Sequence, residues 1–382
     1  MRKMLLLLLA LSAVLMPGVL RAGEIETKAQ QAYMVEASTG TVLLEKNEGD
    51  VIPPASLAKL MTMEVVFDAL KRGEITLDTS YPVSEHAWRT GGAPSRTSSM
   101  FAALKSRVSV RDLIQGVIVQ NANDGCIILA EGISGSEKEF AERMTRRARE
   151  LGLKKSSFTN ATGLPDAGNK TTLGEMVTLA HHIQATYPEL YAYYAQPEFE
   201  WNKIKQRNRN PLLALGIGVD GLGTGFAEGS GYSIVTSINR DGKRIVLGLG
   251  GLATDKERTE EARRVLEWGV SSFESRRLFG KGDVVGQVSV YGGAQRSVDL
   301  VAKEPVDIFV PIENGERISA RIVYKWPLYA PVVPGQQVGT LRVLSGDRHL
   351  RDVPLYTADA VVVGSLQSRA LDALQELLFF WL

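Results

Sequence analysis

Apolar positions along the chain follow two periods, and the switches between them mark out the elements. From Ala32, "AYMVEASTGTVLLEKN" has two apolar runs parted by "STG", which predicts strand, turn and strand. Between Pro54 and Ala161 the spacing turns helical. "LAKLMTMEVVFDALKRG" stops at Gly73, "VRDLIQGVIVQNANDGCIILAEGI" continues as apolar helical stretches, and "SEKEFAERMTRRARELGL" predicts a charged amphipathic helix. "TTLGEMVTLAHHIQATYPELYAYY" predicts another helix. In "GYSIVTSINRDGKRIVLGLGG" two strand-like runs flank Arg240-Asp241-Gly242, a hairpin signal, and "KERTEEARRVLEWGVSSFE" is helical again. Strands at both ends of a helical middle imply one α/β domain whose sheet joins distant parts of the chain.

After Phe279 the pattern changes to short β-rich runs punctuated by Gly and Pro, such as "VVGQVSVYGG", "RISARIVYKW" and "QVGTLRVLSGD". These predict a separate small β-domain over 279–362, after a first domain over 23–278. The last segment, 363–382, places Leu366, Ala370, Ala373, Leu374, Leu377 and Leu378 at helical spacing before "LFFWL". A helix with one apolar face and an aromatic tip suits a membrane surface; the competing reading is a helix packed on the protein or on another subunit. At the other end, Arg2 and Lys3 precede an apolar run broken by Pro17 and Gly18. This predicts a secretory signal peptide over 1–22, with an uncleaved anchor as the alternative. The expected location is the periplasm, attached peripherally to the inner membrane.

Composition narrows the chemistry. In 382 residues with 44% hydrophobic content there is enough apolar material for buried cores, and 44 Lys plus Arg against 43 Asp plus Glu gives no reason to expect nucleic acid. Cys126 is the lone cysteine and histidines number 4, so neither an internal disulfide nor a metal centre is expected, and no cofactor is implied. One pairing stands out. Ser56 is the single serine followed by a lysine at the third position, Lys59, where an apolar helix begins. Residues i and i+3 share a helix face, so a neutral lysine amine there could take the serine proton. The plain alternative is a capping serine followed by a solvated lysine.

The surrounding motifs decide between them. "PASLAKLMT", "RDLIQGVIVQNANDGCIILAEGISGSEKEF", "LGLKKSSFTNATGLPD", "NRNPLL", "GVDGLGTGFAEGSGYSIV" and "RTEEARRVLEWG" stand in that order, and the chain resembles the low-molecular-mass penicillin-binding D-alanyl-D-alanine carboxypeptidases along nearly its whole length. The resemblance implies a β-lactamase/transpeptidase-like domain, an antiparallel sheet flanked by helices, followed by the small all-β domain and the amphipathic helix. It implies Ser56 as the acylated nucleophile, Lys59 as its base, and two backbone N–H groups, one from Ser56, for the carbonyl oxygen. The implied substrate is a peptidoglycan stem peptide ending in D-Ala-D-Ala, with β-lactams acylating the same serine.

Two positions depart from the family. In Asn121-Ala122-Asn123 an asparagine replaces the usual serine, and in Gly223-Thr224-Gly225 a glycine replaces the usual lysine. An amide hydrogen-bonds but carries protons poorly, so Asn121 is expected to orient substrate without relaying a proton. Asn123, Gly223, Thr224 and Gly225 are expected to line the substrate. Loss of the triplet lysine removes an attraction for the substrate carboxylate and a charge that would help keep Lys59 neutral, unless Arg209 or Arg258 fills in. A relative that binds penicillin or muropeptides without efficient turnover is the competing reading. A β-lactamase-like hydrolase is a third, disfavoured by the lack of an acidic residue dedicated to deacylation.

Overall fold

The computed structural model describes residues 25–312, 317–346 and 348–366. The predicted signal peptide and nearly all of the predicted tail helix lie outside the described residues.

The first hairpin forms as its pattern requires: β1 (Gln31–Glu36) pairs antiparallel with β2 (Val42–Lys46). Its other edge is taken by a strand from more than two hundred residues away. β3 (Val219–Ala227), β4 (Gly231–Arg240) and β5 (Lys243–Leu252) complete a five-stranded antiparallel sheet in the order β2-β1-β5-β4-β3. Arg240-Asp241-Gly242 makes the tight turn, with Asp241 at φ 56° and Gly242 at φ 75°. Alternation along β4 sorts side chains between two cores. Ile234 and Ile238 pack with Ala262, Val265 and Leu266 of α6 (Asp255–Ser271), whereas Val235 joins the larger core on the other face.

That larger core is helical. α1 (Ala58–Lys71) runs through its middle with α2 (Val110–Gln120), α3 (Asn123–Ser134), α4 (Glu137–Glu150) and α5 (Leu173–Thr186) around it. Every residue of α1 from Ala58 to Phe67 is buried, so the helix has no solvent face over that stretch. α5 lies close on the sheet because Gly248 has no side chain there: a Cβ would stand 2.7 Å from Val177 Cγ2. Two predicted helical runs are divided. Asn121 adopts φ 59° and separates α2 from α3, and α5 ends at Thr186, before Pro188, which cannot continue its hydrogen bonding.

The β-rich remainder has its own core of Val288, Leu300, Ile308, Leu341, Val343 and Leu355 among others. Phe273–Phe279 pairs with Val306–Pro311, crossing the 278/279 position at which the composition changes. A six-stranded sheet follows, built from Ile318–Tyr324, Gln337–Ser345, Arg348–Thr357, Ser297–Val301, Val284–Tyr291 and Leu328–Tyr329 in that spatial order. Among the described residues no helix is long and apolar enough to cross a membrane.

Candidate active site

Among the described residues, five helices begin on a Ser or Thr whose hydroxyl accepts from a backbone N–H three residues on: Ser84 from Ala87 at the short helix Glu85–Thr90, Ser109 from Asp112, Ser136 from Glu139, Thr172 from Glu175 and Thr254 from Glu257. Ser56 does not behave this way. It lies in a 3-10 turn, Ala55–Leu57, that leads into α1, and no side-chain cap closes either element. Ala55 is held at φ 48°, a left-handed conformation that costs a non-glycine residue about 1 to 2 kcal/mol. The strained turn leaves Ser56 half-buried at the open end of the helix instead of capping it.

Ser56 Oγ is 3.1 Å from Lys59 Nζ. The amine donates a second hydrogen bond, 2.7 Å long, to the carbonyl of Thr162, 103 residues away in sequence. Lys59 is only 4% exposed, and burial holds its amine below the usual lysine value. Cys126 on α3 would oppose this if it were a thiolate, but burial pushes its thiol up to about 12, so it is neutral wherever Lys59 titrates. Desolvation thus favours the neutral form of Lys59, the form that can take the serine proton.

The two substituted triplets meet at this place. Asn121 ends α2, and its Nδ2 donates to Thr224 O at 3.5 Å, a long contact between the helical part and the edge strand β3. Asn123 is 5% exposed; its backbone N–H donates to Ser98 O and its Nδ2 to Thr97 Oγ1, so it holds the 97–98 loop while its Oδ1 stays buried without a protein partner. Register places Gly223 opposite Val235, on the helix face of the sheet, and Thr224 opposite Ile234, on the α6 face. A Cβ at Gly223 would meet Leu60 Cδ2 at 3.9 Å and Leu57 Cδ2 at 4.0 Å, ordinary contacts. Gly225 is tighter, since a Cβ would fall 2.8 Å from Ser233 Oγ.

Neither candidate arginine stands where a lysine at 223 would. Arg209 is exposed, and its backbone N–H, on Val119 O, ties it to the end of α2. Arg258 belongs to α6, on the opposite face of the sheet. It is 5% exposed, its Nη2 is 2.5 Å from Asp255 Oδ1, its guanidinium lies 5.9 Å from the Tyr232 ring, and its Nε has no partner. Tyr232 faces Phe226 across β3 and β4 with ring centroids 4.5 Å apart, so this cation reaches only the β4 partner of that ring pair.

Several supports had no sequence signal of their own. Asp124, fully buried, accepts from Ser99 Oγ, Met100 N and Ala102 N and so fixes the 99–102 loop. Asp220 accepts from Tyr191 Oη at 2.9 Å and pairs with Arg244 at 2.8 Å, and Asn210 Nδ2 donates to Gly221 O at 2.7 Å, anchoring the start of β3. The motifs "NAND", "NRN" and "GVDGL" contain these residues, but only the fold shows what each one holds.

Comparison with known proteins agrees with this arrangement. Residues 19–249 match the profile of the D-alanyl-D-alanine carboxypeptidase family, and residues 273–363 match that of the penicillin-binding protein 5 C-terminal domain. The D-alanyl-D-alanine carboxypeptidase DacC of Escherichia coli is 34% identical over 90% of this chain and 87% of its own length. Penicillin-binding protein 5 from Haemophilus influenzae superposes with a TM-score of 0.78 at 33% identity, covering 89% of this chain and 99% of that one. Penicillin-binding protein D2 from Listeria monocytogenes, solved in an ampicillin-bound form, gives a TM-score of 0.56 at 27% identity over 65% of this chain and 99% of that one. With its catalytic-domain profile, its β-domain profile and its sequence relatives all in agreement, the chain belongs to the D-alanyl-D-alanine carboxypeptidase family of low-molecular-mass penicillin-binding proteins.

Proposed function

We propose that the protein is a serine-type D-alanyl-D-alanine carboxypeptidase that removes the terminal D-Ala from peptidoglycan stem peptides through an acyl-enzyme on Ser56. The observation that carries this is the half-buried Ser56 hydroxyl 3.1 Å from a buried lysine amine with no acid paired to it. Neutral Lys59 takes the Ser56 proton as Oγ attacks the carbonyl carbon of the penultimate residue. The amide C–N bond then breaks, the leaving amine takes a proton, and D-Ala departs. Water attacks the ester by the same route and regenerates the serine. Asn121 carries protons poorly, so the proton returns to the leaving amine from the Lys59 ammonium itself. Asn121, Asn123 and the strand Gly223-Thr224-Gly225 line the peptide. β-Lactams acylate the same hydroxyl.

The chain is further proposed to act in the periplasm, exported by its first 22 residues and held peripherally at the inner membrane by its last 20. The charge and apolar pattern of the two ends support this reading. The test is direct: purified protein is incubated with a D-Ala-D-Ala peptide and, separately, with a labelled penicillin. Released D-Ala together with label on Ser56 is expected. Label without D-Ala would leave a binding protein, and neither would remove Ser56 from the chemistry.

A further inference from the structure

The Thr162 carbonyl that accepts from Lys59 belongs to a turn that one side chain organises. Asn160 Oδ1 accepts from Thr162 N at 3.2 Å, Thr162 Oγ1 at 3.0 Å and Gly163 N at 2.7 Å, while its Nδ2 donates to Leu164 O at 3.1 Å. Thr162 Oγ1 in turn accepts from Leu164 N at 3.1 Å. Residues 160–164 are therefore closed on themselves around a single amide.

The turn is also pressed against the nucleophile. Gly163 has φ 78°, and a Cβ there would fall 1.7 Å from Ala55 O, so its backbone lies directly on the residue before Ser56. Beside it, Thr62 Oγ1 donates to Ala161 O at 2.6 Å. Two successive carbonyls of the loop, Ala161 and Thr162, thus accept from Thr62 and Lys59, one turn apart on α1.

This contact bears on the chemistry of Lys59. A neutral amine has two N–H bonds and one lone pair, and the lone pair must face Ser56 Oγ for the proton to move. A carbonyl fixed 2.7 Å away on another side takes one N–H and so turns the lone pair toward the serine. Once the proton has moved, the same carbonyl stabilises the ammonium. We propose that Asn160 is a positioning residue for acylation: it folds the turn that presents the Thr162 carbonyl to Lys59. The proposal rests on Lys59 being the base.

The charges around Lys59 are few. α3 brings the neutral Cys126 thiol and Asp124, which is occupied by Ser99, Met100 and Ala102. α4 brings Glu137, which accepts from Ala161 N at 3.1 Å and from His86 at 2.9 Å. β3 carries Asp220 at its start, paired with Arg244 and Tyr191, and Gly223 stands at the place of the lysine. A new carboxylate in the 160–164 turn would therefore be felt by Lys59 and would raise its pKa.

The experiment compares wild type with Asn160→Ala and Asn160→Asp in the full chain, measuring acylation by labelled penicillin and D-Ala release as functions of pH, with melting curves alongside. Asn160→Ala is expected to slow acylation by about ten- to a hundredfold, mostly in kcat, with the peptide KM little changed. Asn160→Asp keeps the three accepted hydrogen bonds; it should recover much of the rate but move the acidic limb of the profile upward. Wild-type rates and an unshifted profile in both variants would overturn the proposal, whatever happens to the melting temperature. Should Asn160→Ala not fold, the Asn160→Asp profile decides alone: shifted upward supports it, unshifted overturns it. A wild-type protein that neither takes label nor releases D-Ala would instead defeat the proposed function.

Discussion

Lys59 Nζ stands 3.1 Å from Ser56 Oγ inside a helix that is buried on all sides at that level. Burial, the dominant influence on this amine, lowers its pKa from 10.5. The base works only when neutral, so the rate of penicillin acylation should rise with pH and level off below the value of a free lysine. Ser56→Ala should abolish labelling, and Lys59→Met should reduce it by about a thousandfold or more. A profile that keeps rising to 10.5 would show that burial has not tuned this group.

The same depression has a consequence for stability. The folded protein binds fewer protons at Lys59 than the unfolded chain does between the lowered value and 10.5, so this group adds stability as pH rises through that window. Lys59→Met lacks the effect. Urea unfolding of both proteins at a series of pH values should show wild type gaining relative to the variant toward pH 10.5; a constant difference would contradict the burial argument.

A Cβ at Gly223 meets Leu57 and Leu60 at ordinary contact distances, so Gly223→Lys brings no clash at its first side-chain atom. Its side chain would enter from the helix face and bring a cation near both Lys59 and the substrate carboxylate. Peptide turnover, read as kcat/KM for D-Ala release, is expected to rise about tenfold or more, with the acidic limb moving down. A fall in turnover would mean that another cation already serves that position.

Arg258 is buried against Asp255 and Tyr232. Arg258→Ala should cost about 1 to 2 kcal/mol of stability through lost packing and the lost ring contact. Arg258 lies on the face of the sheet away from Ser56, so peptide KM and kcat should stay within about twofold of wild type. Steady-state kinetics with a strongly raised KM would instead give this residue a part in holding the substrate carboxylate.

Glu64, also on α1, is fully buried and receives Arg147 at 2.9 Å, Tyr187 at 3.1 Å and His182 at 3.3 Å on one oxygen. Burial works against its ionisation, but the neighbouring His182 and the hydrogen-bonded Arg147 outweigh it and hold the carboxyl below 4.5. Arg147→Met should destabilise the protein by about 3 to 5 kcal/mol at neutral pH, because the carboxylate stays buried with less compensation. Stability from a depressed carboxyl is present above the unfolded value and lost as pH falls through the folded one. The gap between wild type and variant should therefore narrow in acid, as denaturant unfolding at pH 7 and below pH 4 would report.

Much of this protein is legible along the chain. Hairpins at Ser38-Thr39-Gly40 and Arg240-Asp241-Gly242 and the spacing of Ser56 and Lys59 are local patterns, and local patterns act through nearest neighbours on a strand or helix. The order of the motifs also carries the family. Legibility ends where distant segments and solvent exclusion take over. Nothing near Lys59 in sequence says that α1 is buried all round, yet that burial is what lowers its pKa. Nor does "TNATGLPD" announce that its Thr162 carbonyl will meet an amine 103 residues earlier. Register across β3 and β4, set by pairing and not by spacing, put Gly223 on the helix face and Arg258 behind the opposite one. Residue type and periodicity thus determined the parts and their kinship; tertiary packing decided their charge states and partners, because both depend on what water can reach.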